Sequence, residues 1–545
     1  MTSNTDINFD IIIDLTRLDS FKFIDIITNL EKLNYKNCST CFIVNSLNDL
    51  KNHQNFKTIE KKEKELSEIY NDIIFSAKSD YLIFLEGNEK LIPNSLNILN
   101  DILKKNNYNF IYSNNFLLKN NKSIIKYKSN ISKNLLYSYN YIGKSTIFKR
   151  TFLKDIKGFD NYKSVESIFY DLTLRIIEKT KNIYFLDQEL FYNDLTLEKE
   201  FSSNENLQVL ENMRIRNNLN ANIEKGLFHN SYRIKFNLEN KPLVSIIIPF
   251  KDQPKLLQNC LNSIINLSTY DNFEIIGISN NSKEKETFKQ MEIFENKDSR
   301  IKFVEYNVPF NYSHINNYAV KNHSKGKHII FLNNDIEIIS NDWIESLLEY
   351  SQQEEIGCVG AKLLYPNNTI QHCGIKVGGD NVAQHFLAHL KIENNGYEYR
   401  ESLVQNVTAV TAACMMIKKS LLEEIDYFDE NLTVAYNDVD LCLKAIKKGK
   451  VNIFTPYCKA YHYESISRGS DRNGEKLKRL LKEQTILKDK NKDILEKEDL
   501  YITDNIFNQM QLEIHDIKNK NILKKIRIYS KPIREKIKKF IKGSK

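Results

Sequence analysis

The stretch KHIIFLNNDIEIISNDW, residues 327–343, decides how this chain folds. Five mostly apolar residues read as a short buried strand. The run then stops on Asn333-Asn334-Asp335, three polar groups that a buried strand cannot satisfy. A strand ending this way must leave its sheet at that point. The chain writes nearly the same phrase much earlier, SDYLIFLEGNEKLIPNSL at 79–96, with the aspartate missing.

That echo belongs to an internal repeat. FDIIIDL at 9–15 returns as VSIIIPF at 244–250, each a parallel-type strand buried on both faces. FKFIDIITNLEKLNYKNCSTCFIVNS resembles PKLLQNCLNSIINLSTYDNFEIIGISNN: an amphipathic helix, a short loop and another apolar strand. KSTIFKRTFLKDIKGFDNYKSVESIFYDLTLRIIEK matches ACMMIKKSLLEEIDYFDENLTVAYNDVDLCLKAIKK. The offsets between copies grow in order, 235, 247 and 269, so the second copy gains loop insertions. Each half alternates strands with helices, which predicts an α/β chain of two tandem Rossmann-like domains with mostly parallel sheets. The expected boundaries are 1–202 for the first copy, 203–240 for a polar linker, 241–475 for the second copy and 476–545 for a helical extension. Ligands in such sheets bind beyond the carboxyl ends of the strands. Asn333-Asn334-Asp335 is therefore expected to face a cleft.

Composition narrows the class. At 545 residues the chain is too long for one core, and 41% apolar residues exclude disorder. No segment reaches the roughly 18 uninterrupted apolar residues of a spanning helix. The start, MTSNTDINFD, has no secretory pattern, so a cytoplasmic protein with eight reduced cysteines is expected. Cys38 and Cys41 form a lone CxxC without a second pair and are expected to be plain thiols. Residues 518–545 hold twelve Lys/Arg and one acid, leaving 66 basic against 69 acidic residues elsewhere. A near-neutral body argues against nucleic-acid binding. The tail, with Leu523, Ile526, Ile533, Ile537, Phe540 and Ile541 amid lysines, reads as an amphipathic basic helix for an anionic surface. This predicts a peripheral position at the inner face of the cytoplasmic membrane.

In the second half, Asp438 and Asp440 precede a helical pattern in AYNDVDLCLKAIKKG. An aspartate at a helix start is stabilised there as an anion, and an ordinary N-cap is the commoner role. His462 and Arg468 lie beyond a strand end in AYHYESISRG. A lone histidine is more often structural. Together, a carboxylate, a histidine and an arginine at separate strand ends fit a site for a divalent cation and a diphosphate.

Residues 241–475 resemble a family 2 inverting glycosyltransferase of the GT-A fold, of the rhamnosyltransferase-like kind that builds bacterial O-antigen or capsule. The resemblance rests on VSIIIPF, FEIIGISNNS, PFNYSHINNYAV, FLNNDIEI, VGAKLLYPNNTIQHCG, VTAACMMIKKSLLEEIDYFDE, YNDVDLCLKA and YHYESISRG, in the family's order. It implies that Asp335, at the DxD position of Asn333-Asn334-Asp335, holds Mg²⁺ or Mn²⁺ against a nucleotide-sugar diphosphate, with His462 completing the metal shell. It implies that Asp438 is the base that deprotonates the acceptor hydroxyl. Pro249, Asn280, Asn317, Asn333, Asn334 and Arg468 fall on the donor side, and Thr411, Ala412, Ala413 and Cys414 on the acceptor side. The acceptor implied is a growing glycan, free or lipid-linked. The sequence departs from the family where Asn333 replaces the first DxD aspartate, where Ser279 replaces an aspartate after the second strand, and where Asn437 replaces a glutamate before the base.

In the first half, Glu86-Gly87-Asn88 echoes the DxD and Phe169 stands where the second half has Asp438. Phenylalanine accepts no proton, so residues 1–202 read as a degenerate copy without catalysis; the alternative is a second active transferase using Glu86 and Glu89. Asp171, the partner of Asp440, is retained, and this pair reads as structural, as helix caps. Two rivals for the whole chain are a glycan-binding scaffold, disfavoured by the intact Asp335, Asp438 and His462, and a nucleotidyltransferase. The latter would need a Gly-rich loop where PFKDQPK stands.

Overall fold

A computed structural model describes residues 5–17, 23–47, 56–119, 122–194, 203–379, 382–393, 395–463 and 474–511. The basic tail and Arg468 lie outside the described residues. The chain divides into two compact units, Met1–Asn237 with Leu403–Asn406, and Leu238–Ser402 with Val407–Lys545. Both are mixed α/β with largely parallel sheets. Among the described residues no helix is long and apolar enough to cross a membrane.

The first unit is built on β1 (Phe9–Asp14), β2 (Cys38–Val44), β3 (Lys57–Glu60), β4 (Tyr81–Glu86), β5 (Glu89–Leu91), β6 (Phe110–Lys119), β7 (Thr146–Lys149) and β8 (Ile183–Asp194). They pair in the order β3-β2-β1-β4-β7-β6-β8-β5. Strands β1 to β4 run parallel, and β7 is antiparallel to both its neighbours. Alternation along β1 sends Ile12 into one apolar cluster and Phe9, Ile11 and Ile13 into another, so the sheet is covered on both faces.

Among this unit's helices are α1 (Val165–Lys179) and α2 (Ser203–Arg216). Here the structure corrects the expected linker. Val209, Leu210 and Met213 of α2 are fully buried in the first unit's core, and a hairpin of Ala221–Lys225 with Tyr232–Phe236 follows. The stretch looked like a tether because three apolar positions are diluted among polar ones. Packing, not average polarity, places it.

The second unit repeats the plan with β9 (Val244–Phe250), β10 (Phe273–Ser279), β11 (Ile301–Glu305), β12 (His328–Leu332), β13 (Ile336–Ile338), β14 (Ile356–Leu364), β15 (Cys414–Lys418) and β16 (Val451–His462). Their order is β11-β10-β9-β12-β15-β14-β16-β13, strand for strand that of the first unit. Parallel and antiparallel pairings also match. The helices that matter for the site are α3 (Pro254–Leu267), α4 (Tyr312–His323), α5 (Asn437–Lys447) and α6 (Gly474–Lys490). Helix α3 opens on a proline, tolerated where the N–H has no helical partner, and buries Leu257, Cys260, Leu261 and Ile264 on one stripe.

Asp171 and Asp440 are structural but are not caps. Asp171, fully buried in α1, accepts from Arg175 Nε at 2.7 Å and from Arg216 Nη1 of α2 at 3.0 Å. Asp440 accepts from Asn491 Nδ2 at 3.2 Å and lies 3.4 Å from Lys490 Nζ at the end of α6. In each unit a buried carboxylate thus fastens the next helix by its C-terminal end. Removing one partner of such a pair leaves an uncompensated buried charge.

His328 opens β12 with its ring buried, its Nδ1 2.8 Å from Ser351 Oγ. Burial, with Lys418 and Lys327 adding repulsion, pushes its pKa from 6.5 down to about 4. The unfolded chain therefore binds this proton at a pH where the folded chain does not. Stability from the neutral ring is full above pH 6.5 and is lost as pH falls from 6.5 towards 4, about 3 kcal/mol in all. Urea denaturation at about pH 7 and about pH 4.5 should show His328→Gln losing about 2–3 kcal/mol less than wild type between the two. Equal losses would remove His328 as the source.

Candidate active site

The carboxyl ends of β9, β10 and β12 open onto a cavity of about 1430 Å³. Pro249 closes in from the end of β9, and Asn280 from the turn after β10. Asn333, Asn334 and Asp335 enter where β12 stops. The chain there is crossing from the middle of the sheet to its edge, where β13 pairs antiparallel with β16. Asn333 N–H donates to Ala413 O at 3.0 Å and Asn333 O accepts from Ile336 N–H at 3.3 Å. The polar triplet that no strand could hold is this crossing.

His462, the last residue of β16, faces the same cavity. Its Nδ1 is 2.6 Å from Gln371 Oε1, an acceptor, so in the neutral ring Nδ1 carries the hydrogen. The lone pair of Nε2 then points at Asp335 Oδ1, 3.1 Å away, with Asn333 Nδ2 at 3.4 Å. Asp335 is 7% exposed and its Oδ1 has no hydrogen-bond donor. Two electron-pair donors facing each other at the spacing of adjacent ligands fit a shared cation. Among the described residues no group of three or more His, Cys, Asp and Glu gathers. Asp335 and His462 are thus the two candidate side-chain donors at this point of the cavity.

Asp438 lines the same cavity from the second position of α5. It is half-buried; Oδ2 accepts from Ala412 N–H at 3.2 Å and Oδ1 from Val439 N–H at 2.8 Å. Thr411, Ala412 and Ala413, leading into β15, line the floor between the two acids. Asp335 and Asp438 share one cavity.

Two of the expected residues do not line the cavity, and a third falls outside the described residues. Arg468 lies outside the described residues. Asn317, expected on the donor side, is buried away from the cavity. Its amide donates to Phe428 O at 3.0 Å and accepts from Phe428 N–H at 3.1 Å. Asn71 grips Phe159 identically in the first unit, at 2.9 and 2.8 Å, so this clamp belongs to the fold. Cys414, expected on the acceptor side, is fully buried as the first residue of β15 and its thiol pairs with Cys458. Asn280 lines the cavity but spends its amide nitrogen on Tyr306 O and Val308 O, both at 2.8 Å.

Sequence reasoning missed the strand Ile370–His372. Gln371 orients His462, and buried His372 accepts from Thr411 N–H at 3.4 Å while its Nδ1 meets His385 Nδ1 at 3.0 Å. Burial holds the His372 ring well below its ordinary pKa, hence neutral. The signal was present as two consecutive polar residues in an apolar strand, TIQHCG.

The first unit's register gives the matching stations. Asn88 O accepts from Asp194 N–H as Asp335 O does from Tyr463 N–H, and Asn193 faces Glu89 as His462 faces Ile336. Asn88 and Asn193 thus stand for Asp335 and His462. Lys144 Nζ binds Glu86 and lies 3.4 Å from Glu166. Phe169, at the station of Asp438, is sunk among Tyr70, Phe84, Phe148 and Phe159.

Residues 245–426 match the family model for glycosyl transferase family 2. An uncharacterized protein, y4gI of Sinorhizobium fredii (strain NBRC 101917 / NGR234), is 32% identical over 439 residues, 78% of this chain and 48% of that protein. The O-antigen biosynthesis protein RfbC of Myxococcus xanthus is 29% identical over 424 residues, 75% of this chain and 33% of that protein. The chain spans about half and a third of the lengths of these relatives. Among solved structures, GalNAc-T7 with UDP, GalNAc and Mn²⁺ aligns at 14% identity and TM-score 0.39 over 49% of this chain and 51% of that one. The mannosyltransferase PcManGT of Pyrobaculum calidifontis with GDP-Man and Mn²⁺ aligns at 16% and 0.33 over 46% and 70%. The stretch similar to glycosyl transferase family 2 lies within the second unit.

Proposed function

We propose that the second unit is an inverting, metal-dependent glycosyltransferase that moves a sugar from a nucleotide-sugar donor to a hydroxyl of a growing bacterial surface glycan, lipid-linked or of lipopolysaccharide or capsule type. The observation that carries this reading is the single cavity shared by Asp335, His462 and Asp438. The likeness to RfbC, an O-antigen biosynthesis protein, supports the class of product.

Asp335 and His462 would hold Mg²⁺ or Mn²⁺. A bound divalent cation would neutralise charge growing on the departing nucleoside diphosphate. Gln371 fixes the ring of His462 so that Nε2 faces the cation site, and Pro249, Asn280, Asn333 and Asn334 shape the donor wall. Lys251 and Lys283 bring positive charge to the same wall, suited to phosphate. Asp438 takes the proton from the acceptor hydroxyl as it attacks the anomeric carbon, held by Ala412 N–H on one oxygen. Attack and departure on opposite faces of one carbon invert it, so a single carboxylate suffices. Thr411, Ala412 and Ala413 lie where the acceptor would reach that base.

The first unit would be a degenerate copy of the same domain. Phe169 removes the base, and Asn88 and Asn193 remove the anionic and imidazole ligands. Lys144 sets a tethered ammonium beside Glu86. The basic tail would hold the protein at the anionic inner face of the cytoplasmic membrane, beside a lipid-linked acceptor.

Asp438→Asn should keep donor affinity within about threefold and lower transfer about 10²–10⁴-fold, read by product formation across a panel of UDP-, GDP- and dTDP-sugars with Mn²⁺. Undiminished transfer would end the assignment of the base. Gln371→Leu should weaken Mn²⁺ binding in the presence of nucleoside diphosphate by about 10- to 100-fold, measured by the electron paramagnetic resonance of free Mn²⁺. Unchanged affinity would detach His462 from the metal. Deleting 518–545 should lower sedimentation with anionic liposomes, and equal sedimentation would discard the tail's role.

A further inference from the structure

Helix α6 lies beyond the stretch matched by the family model, and its Glu483 makes a set of contacts that the roles above leave unused. The side chain is 1% exposed. Oε1 accepts from Thr433 N–H at 2.9 Å, from Val434 N–H at 3.2 Å and from the Thr433 hydroxyl; Oε2 accepts from Ala435 N–H at 2.7 Å. One buried carboxylate therefore ties down three successive residues of the loop entering α5. Val434, Ala435 and Tyr436 of that loop line the cavity, and Asp438 follows two residues after Tyr436.

The loop needs holding. Tyr436 sits at φ 61°, ψ 2°, in the left-handed region that a bulky side chain adopts at a cost. Such a conformation persists only where its surroundings over-determine it. At its other end, α6 grips α5 again, through Lys490 and Asn491 on Asp440. The turn that bears Asp438 is thus fixed from both sides by one helix.

The first unit carries the same device. Glu205 of α2 accepts from Lys163 N–H and Ser164 N–H, each at 2.7 Å, just before α1, while Arg216 at the end of α2 binds Asp171. There the helix presents Phe169, so the device sets a helix entry and nothing more. In the second unit the entry it sets carries a carboxylate into the cavity.

We infer that Glu483 is a positioning residue for transfer: by fixing Thr433–Ala435 it aims Asp438 at the acceptor hydroxyl. The inference rests on the reading of Asp438 as the base. Glutamine cannot replace glutamate here, because its Nε2 would face the Ala435 N–H, donor against donor. A misplacement of about 1 Å in a catalytic group costs up to ~10²-fold in rate.

The test uses the full chain, with whichever donor of a UDP-, GDP- and dTDP-sugar panel the wild type turns over with Mn²⁺. Glu483→Gln should raise backbone hydrogen exchange in peptides covering 433–438 by at least about tenfold, lower kcat about 10- to 100-fold, and leave the donor KM within about threefold. Glu205→Gln should loosen 163–165 by a similar factor and leave kcat unchanged. A kcat within twofold of wild type (about 0.4 kcal/mol) despite faster exchange in Glu483→Gln overturns the inference. So does an equal kcat loss in Glu205→Gln, which would mean general loosening. Should Glu483→Gln not fold, Glu483→Asp keeps the charge and withdraws it by one methylene. It should lose kcat while holding KM, and an unchanged kcat overturns the inference equally. An inactive Asp438→Asn beside a fully active Glu483→Gln removes the positioning role alone; an active Asp438→Asn removes the base itself.

Discussion

The hydrogen bonds on three backbone residues, Thr411 to Ala413, hold the two halves of the site together. Ala412 N–H reaches Asp438, Ala413 O takes the N–H of Asn333, Ala412 O takes the Tyr312 hydroxyl at 3.1 Å, and Thr411 N–H reaches His372. A segment entering a central strand must find partners for every backbone group. Strand β15 runs antiparallel to β12 and β14, so its entry lies where β12 ends. The partners within reach there are the crossing after β12 and the first turn of α5. Two acids about a hundred residues apart meet because a strand between them has to be satisfied.

The two units separate what the fold needs from what the chemistry needs. Strand order, the asparagine clamp on a phenylalanine backbone and the buried aspartate that fastens the next helix occur in both. All three satisfy backbone or buried charge, and a unit lacking them would lose stability whatever it did. The differences collect at four stations, Glu86, Asn88, Phe169 and Asn193, against Asn333, Asp335, Asp438 and His462. A half-buried acid at a helix start can be exchanged for a packed phenylalanine without harm to the sheet, and Phe169 has aromatic neighbours at that station.

Much of this was legible in the sequence because periodicity survives at one-residue resolution. Buried strands in both copies, their order, and the triplet where β12 leaves its sheet follow from apolar runs and their ends. Asp438 stood out because Phe169 replaces it while Asp171 and Asp440 stay. Asn317 was misread, since a motif fixes an identity and not the direction of an amide. Its two hydrogen bonds to Phe428 are spent before any ligand arrives. Glu483 left no trace and Gln371 only the polar pair in TIQHCG, because each acts on a partner between fifty and a hundred residues away and no period records such a distance. The stretch 203–240 reads as a tether because three buried side chains in a polar helix barely move its average.

The pair Asp335 and His462 is left electrostatically incomplete inside the second unit. Gln371 commits Nδ1 to donation, so the ring turns its lone pair towards a buried carboxylate oxygen that has no donor. Both groups accept, and in a site of low dielectric two facing acceptors oppose each other. The first unit meets the same geometry differently. Asn88 and Asn193 carry their own donors, Asn88 Nδ2 to Asp194 O at 3.0 Å and Asn193 Nδ2 to Glu89 Oε1 at 2.6 Å, and the nearby Glu86 is matched by the Lys144 ammonium. A charge tethered to the chain closes that edge permanently. A charge that must come from solution closes the other only when it is bound, and on the proposed reading it arrives together with the diphosphate whose departure it assists.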